Sequence, residues 1–246
     1  MFENLFIGIV GSMIAAVLGF WVVKTTRRLK NTWNVRYNLA RALQYGGITR
    51  FTLSRRDYSG RPGSGPLRHY LATASHSIDI VSISMNVTQA EGSLISLFEQ
   101  RINESATFRV RVTLLNPDSP VVSLLAKSLD LKPQKLQEEI IDTLHQLWAC
   151  KCRLSADRRK GLEILTHDTL PIGSAILLDA SPDRGRIQLE TKLYQAPRIE
   201  SFGFEISAPS DFFSRNYEAW QRVFNDSKEY VPGSLRSGEA PLFHKP

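Results

Sequence analysis

The side chains able to do chemistry in this 246-residue chain are few, and most stand at the ends of apolar runs. Ser84 and Asn86 close and follow the run that starts at Ile78. Asn116-Pro117-Asp118-Ser119 follows Phe108–Leu115, His167-Asp168-Thr169 separates two apolar runs, and Glu190 lies on a later one. A histidine titrates near neutral pH, and one held between two rigid apolar segments can exchange protons with a substrate, so His167 is the candidate catalytic residue. Asn116, Asp118, Asp168, Thr169 and Glu190 are the candidate ligand-binding residues. Each also has a plainer reading. Asn116 to Ser119 is good turn and helix-cap chemistry, with Asp118 or Ser119 accepting from free amides of a following helix. His167 also suits a structural histidine, and Gln188, Glu190 and Lys192 share one strand face that suits solvent.

Other chemistry is weakly represented. Cys150 and Cys152 flank Lys151 without histidines at ligand spacing, so neither a zinc site nor a redox pair is expected, and no metal or cofactor is assigned. The Gly-Ser-Gly-Pro at 63–66 lacks the lysine and the strand-to-helix setting of a phosphate loop.

The elements that must position these groups alternate. Periodicity predicts a strand over 48–53 and turn formers over 57–66. Then come a helix near 66–75, a strand over 78–84, a helix near 91–103, a strand over 108–115, and helices near 120–129 and 133–150. Strands follow around 162–167, 174–180, 186–194 and 202–207, with an amphipathic helix over 211–224. The order predicts a layered α/β/α domain over residues 67–230, with helices on both faces of a mixed sheet, and a disordered tail over 231–246. Ligands in such sheets sit beyond the carboxyl ends of strands, where the candidate residues fall.

Residues Leu5 to Val23 form an apolar run whose only polar side chain is Ser12, and these 19 positions reach roughly 28 Å as a helix, near the ~30 Å of a bilayer core. A transmembrane anchor over 1–23 is therefore expected. A cleaved leader would carry its positive charge before the run, whereas Glu3 precedes it and Lys24, Arg27, Arg28 and Lys30 follow. Those four residues should meet the anionic inner leaflet, placing the amino terminus outside and the domain in the cytoplasm. Residues 1–56 hold nine Lys or Arg against Glu3 alone, while the remaining chain carries 22 basic and 23 acidic side chains. The basic excess thus belongs to the juxtamembrane region, which argues against a generic nucleic-acid binder. Gly8, Ser12, Ala15 and Gly19 form one small-residue stripe, so a homodimer through the span is expected. Leu29, Trp33, Tyr37, Ala40 and Leu43 recur at helical spacing before Gly46-Gly47. They predict a juxtamembrane helix over 24–45, followed by a linker to residue 66; the helix could lie on the membrane, pair with a second copy or pack on the domain.

The stretch from Leu67 to Ser227 resembles a single phospholipase D-like domain. "RHYLATASHSIDIVSIS" resembles its opening helix and strand, "FRVRVTLLNPDS" its second strand, and "LTHDTLPIGSAILLD" the segment with the catalytic signature. "LETKLYQAP" and "SFGFEI...SDFFSRNYEAWQRVF" are similar to the strand and helix that finish it. The likeness covers about two-thirds of the chain and is to bacterial members in which the signature has decayed. Active members carry His-x-Lys-x4-Asp, whose histidine attacks phosphorus and whose lysine stabilises the phosphoryl oxygens; two such motifs meet in one site, often across a dimer. Here His167 matches the histidine, but Thr169 stands at the lysine and Ser174 at the aspartate, and there is no second motif. Glu190 matches an acidic residue after the motif. The resemblance implies a binding or sensing module for a nucleotide, another phosphorylated ligand or a protein partner. The alternative is a tethered phosphodiesterase or nuclease using His167 with a substitute cation, Arg109, Arg111 or Lys192.

Overall fold

The computed structural model describes residues 37, 41, 43, 45–52, 67–85, 94–170, 173–191, 195 and 202–233. The apolar run with Gly8, Ser12, Ala15 and Gly19, the basic cluster Lys24 to Lys30, residues 53–66, Asn86, Lys192 and residues 234–246 lie outside them. Among the described residues no helix is long and apolar enough to cross a membrane. Tyr37, Arg41, Leu43 and Tyr45 are helical, and Arg41 donates to the Tyr45 hydroxyl at 3.2 Å.

The second compact unit starts at Gly46. It comprises β1 (Ile48–Thr52), α1 (Leu67–Ala72), β2 (Ser77–Ser82), α2 (Leu94–Glu104), β3 (Arg109–Leu115), α3 (Val121–Ser128) and α4 (Pro133–Arg153). A 3₁₀ turn at Arg159–Gly161 leads to β4 (Leu162–His167), β5 (Gly173–Ser181), β6 (Arg184–Thr191), β7 (Phe202–Ser207), α5 (Asp211–Asp226) and β8 (Lys228–Glu229). One eight-stranded sheet runs in the order β1-β7-β6-β5-β2-β3-β4-β8. β2, β3 and β4 are parallel neighbours and the remaining pairs are antiparallel, so the sheet is mixed.

Side-chain alternation in these strands feeds two cores. Ile78, Ile80, Val110, Val112, Leu114, Leu162, Ile164 and Leu178 face Leu71, Phe98, Ile102, Leu136, Ile140 and Leu144 of the helices α1, α2 and α4. Val81, Leu165, Ala175, Leu177, Ile187 and Ile206 face Phe213 and Phe224 of α5 on the other side. Each strand of this central group presents apolar residues to both faces because both are covered by helix, as parallel strands require. Helix α5 begins at Ser210, whose hydroxyl accepts from the Phe213 N–H at 3.1 Å and caps a free amide.

One boundary differs from the sequence expectation, and one short strand was not expected. Ile48–Thr52 is the outer strand of the domain's own sheet, paired to β7, so the domain begins at Gly46 and not at Leu67. A glycine is needed just before it. Gly47 has φ +70°, and a Cβ there would collide with Ser210 and the Ser207 carbonyl. At the opposite margin, two residues after α5 add β8 beside β4, a pairing too short to leave a periodic pattern.

Candidate functional site

β2, β3 and β4 end at one edge of the sheet, and their exits carry the site. The His167 backbone is paired with Leu115, and directly beyond it the Asn116 N–H donates to the His167 carbonyl at 2.8 Å. Asn116 Nδ2 donates to Asp168 Oδ1 at 3.0 Å, and Asn116 Oδ1 accepts from the Asp118 N–H at 3.1 Å. The turn reading of Asn116-Pro117-Asp118-Ser119 is therefore realised in the same bonds that tie it to His167. From α4, Gln137 Nε2 donates to the Pro117 carbonyl at 2.9 Å, a tether no sequence pattern announces. Helix α3 starts just after this loop, and Gln137 lies in the second turn of α4. The amino ends of both helices, with their partial positive charge, thus lie at this edge.

His167 is 1% exposed. Its Nδ1 lies 2.9 Å from the Thr169 hydroxyl, while its Nε2 is buried without a hydrogen-bond partner. Burial pushes its pKa below the ordinary 6.5; the backbones of Ser82 and Thr169 and the Asp168 carboxylate oppose that shift. The imidazole is therefore uncharged at neutral pH. Asn116, Asp118, His167, Asp168 and Thr169 are thus brought together by the exits of two neighbouring strands.

Glu190 is not among them. It stands on β6, paired with Ser174 of β5, four strands from β4 in the sheet order, about 19 Å at a strand spacing of ~4.8 Å. It also follows Ser174 onto the face opposite that of His167, as the alternation Ala175 and Leu177 against Ile176 and Leu178 requires. Gln188 and Glu190 are buried, so the solvated strand face expected for them is not what forms. Ser174, at the aspartate position of the signature, is 3.3 Å from the Ser82 hydroxyl. Ser84 donates to Glu139 at 3.4 Å.

Of the substitute cations, Arg109 and Arg111 are placed elsewhere and Lys192 lies outside the described residues. Arg111 stands four residues before Leu115, about 13 Å back along β3. Its guanidinium grips both oxygens of Asp79 at 3.1 and 3.0 Å, donates to Gln221 at 3.1 Å, and lies 3.7 Å above the Phe224 ring. This pair escaped the sequence reading because it needs the register that sets Asp79 beside Arg111 on neighbouring strands. Arg109, exposed at the start of β3, is farther still. Cys150 is buried, which pushes its thiol up to about 11 and leaves it protonated, while Cys152 is exposed.

Neither a protein-family model nor a curated protein sequence matches the chain. Among solved structures, a phospholipase D family member, Nuc from Salmonella typhimurium, aligns with a TM-score of 0.38 at 10% identity, over 67% of this chain and 88% of its own. The archaeal chromatin protein TrmBL2 gives 0.41 at 9% identity over 87% and 68%. The phosphatidylserine synthase of Haemophilus influenzae gives 0.37 at 13% identity over 73% of this chain and 38% of that one. Likeness of this degree assigns the chain to no family.

Proposed function

We propose that the chain is a single-pass, membrane-anchored module. Its cytoplasmic domain has a degenerate phospholipase D-like fold and binds a phosphate-containing ligand without turning it over. The anchor and orientation rest on the apolar run and its basic flank, and the fold reading on the resemblance of the segments between Leu67 and Ser227. The observation that carries the non-catalytic reading is Thr169. At the place of the lysine that would stabilise phosphoryl oxygens, its hydroxyl is engaged with the histidine ring, and Arg109 and Arg111 lie far along β3. Loss of such preorganised charge costs orders of magnitude in rate.

Full-length protein reconstituted in vesicles tests this. No hydrolysis of generic phosphodiesters above background is expected. Hydrolysis that disappears in His167→Ala would replace the binding reading by the second one, a tethered phosphodiesterase or nuclease, which the buried, unpartnered Nε2 of His167 favours. Binding of a protein partner alone, with no phosphate ligand, would also overturn the ligand class. After ultracentrifugation of detergent-free lysate, the chain is expected in the membrane pellet; recovery in the supernatant would remove the anchor from the account.

A further inference from the structure

We infer that the sheet edge at the starts of β2, β3 and β4, where the chain enters the domain, docks on an anionic lipid surface through Arg109, Lys160 and Arg184. This rests on the membrane-anchored reading and adds a contact made by the domain itself. Gly46 and Gly47 fix the place of entry. The Gly46 carbonyl accepts from the Ser210 hydroxyl at 3.1 Å, and the Gly47 carbonyl from the Ser207 N–H at 2.8 Å. Ser207 at the end of β7 pairs with Arg186, near the start of β6. Next in the sheet come the end of β5 and the starts of β2, β3 and β4. The entry point, Arg184 on β6, Arg109 at the head of β3 and Lys160 just before β4 therefore share one edge, opposite the exits that carry Asn116 and His167.

The near balance of charge beyond residue 56 does not hold locally. Arg109, Lys160 and Arg184 are exposed and have no ion pair among the described residues. Arg159 donates to the carbonyls of Leu154 and Cys152 at 3.1 and 3.2 Å, and Arg186 to the Thr73 hydroxyl at 2.6 Å. Neutral acceptors hold a guanidinium without cancelling its charge. Among the acids of this edge, Glu104 and Asp157 are each paired at 3.5 Å, with Arg101 and Arg158, and Asp179 is turned onto three backbone N–H groups. Glu163, Asp183 and Asp211 remain against the five uncancelled cations. At the opposite edge Asp118, Asp130 and Asp168 offset Lys132 and Lys135, and no such excess forms. An anionic leaflet attracts basic side chains lying within about a Debye length, roughly 8 Å. The tether favours lipid over other polyanions, because residues 24–45 join this edge to the expected span and keep the membrane at high local concentration. Docking here selects, of the three courses open to the helix expected over 24–45, the one along the membrane surface. The exits of β3 and β4, a strand length of about 20 Å away, then open away from the bilayer.

The test uses full-length protein in phosphatidylcholine nanodiscs, with and without phosphatidylglycerol, and lipids bearing a headgroup nitroxide as quencher. Cys150 is buried and Cys152 exposed, so a thiol-reactive fluorophore reports from Cys152, beside Arg159 at this edge. Gln134→Cys in a Cys152→Ser background reports from the other end of α4, about 27 Å away along the helix axis. Phosphatidylglycerol is expected to raise quenching at Cys152 roughly threefold or more and to leave the Gln134→Cys label unchanged. Arg109→Gln, Lys160→Gln and Arg184→Gln together should abolish that rise, while Arg109→Lys with Arg184→Lys should keep it. Equal quenching at the two ends of α4, no rise with phosphatidylglycerol, or a rise indifferent to the triple variant would overturn the proposal. Duplex DNA that binds in neutral nanodiscs and is lost in the triple variant would reassign the edge to nucleic acid and overturn it as well. Protein that elutes apart from the nanodiscs would remove the anchor and the docking with it, whereas protein that stays with them but fails the quenching test removes the docking alone.

Discussion

Asn116 holds Asp168 through a 3.0 Å bond from Nδ2 to Oδ1, while its own backbone N–H holds the carbonyl of His167 at 2.8 Å. One residue at the exit of β3 thereby fixes both the main chain and the side chain at the exit of β4. Asn116→Ala removes two side-chain hydrogen bonds at a half-buried position and is expected to cost about 1–2 kcal/mol in denaturant unfolding. Asn116→Asp sets a second carboxylate against Asp168. It should therefore be the more damaging change at pH 7 and approach the alanine variant once the carboxylates are protonated.

Arg111 and Asp79 form a bidentate pair whose carboxylate residue is 8% exposed. Arg111→Met should destabilise the domain by about 3 kcal/mol, because Asp79 is left buried and unpaired, and Arg111→Lys should recover only part of that, lacking the planar fork. Removing the charge on both sides, with Arg111→Met and Asp79→Leu together, is expected to be less harmful than Arg111→Met alone. A double-mutant cycle from chemical unfolding reads all three; an additive double variant would show the pair to be uncoupled.

The depressed pKa of His167 makes stability depend on pH in a defined direction. The folded ring takes its proton less readily than the unfolded one, whose value is near 6.5, so the unfolded state binds more protons as the solution is acidified. Stability contributed by this group is complete above about pH 6.5 and falls as the pH drops from there toward the folded value. Unfolding free energies measured between pH 7.5 and 5.5 should decline less in His167→Gln than in the unchanged protein.

Asp179 works at the opposite edge of the sheet. Its φ is 51°, and its carboxylate accepts from three consecutive backbone N–H groups, Ser75 at 2.7 Å, His76 at 2.6 Å and Ser77 at 2.9 Å. Burial alone would raise its pKa, but these donors outweigh it and the value lies below the ordinary 3.8. Its contribution is thus present above that pH and is lost as acid carries the solution through the folded value. Asp179→Ala should cost about 2 kcal/mol, the partly solvated setting included, whereas Asp179→Asn tolerates the backbone conformation, retains an acceptor and should cost less. Thermal unfolding at pH 7 separates the two.

Most of the fold was legible because its elements are long and carry a single period. Leu136, Ile140, Leu144 and Leu147 mark α4, and the runs at 108–115 and 162–167 mark buried parallel strands. Elements defined by pairing alone were not. Ile48–Thr52 reads as a strand, but nothing in it says that it joins β7, and Lys228–Glu229 has no pattern of its own. For the site, the strand-end rule names Ser84, Asn86, Asn116, Asp118 and His167; Asn116, Asp118 and His167 lie together because adjacent parallel strands bring their exits side by side, and Asn86 lies outside the described residues. Glu190 and Arg111, which come from the resemblance and not from that rule, lie apart, because strand order separates β6 from β4 and Arg111 stands far back along β3.

The outermost strand next to the amino-terminal region is only five residues long and is stitched to the rest along one side. Strand β1 has a hydrogen-bonded neighbour on one side alone among the described residues, so its bonds to β7 can open one after another like a zip. Peeling of that rim would begin four strands away from β2, so it leaves the exits of β3 and β4 in place.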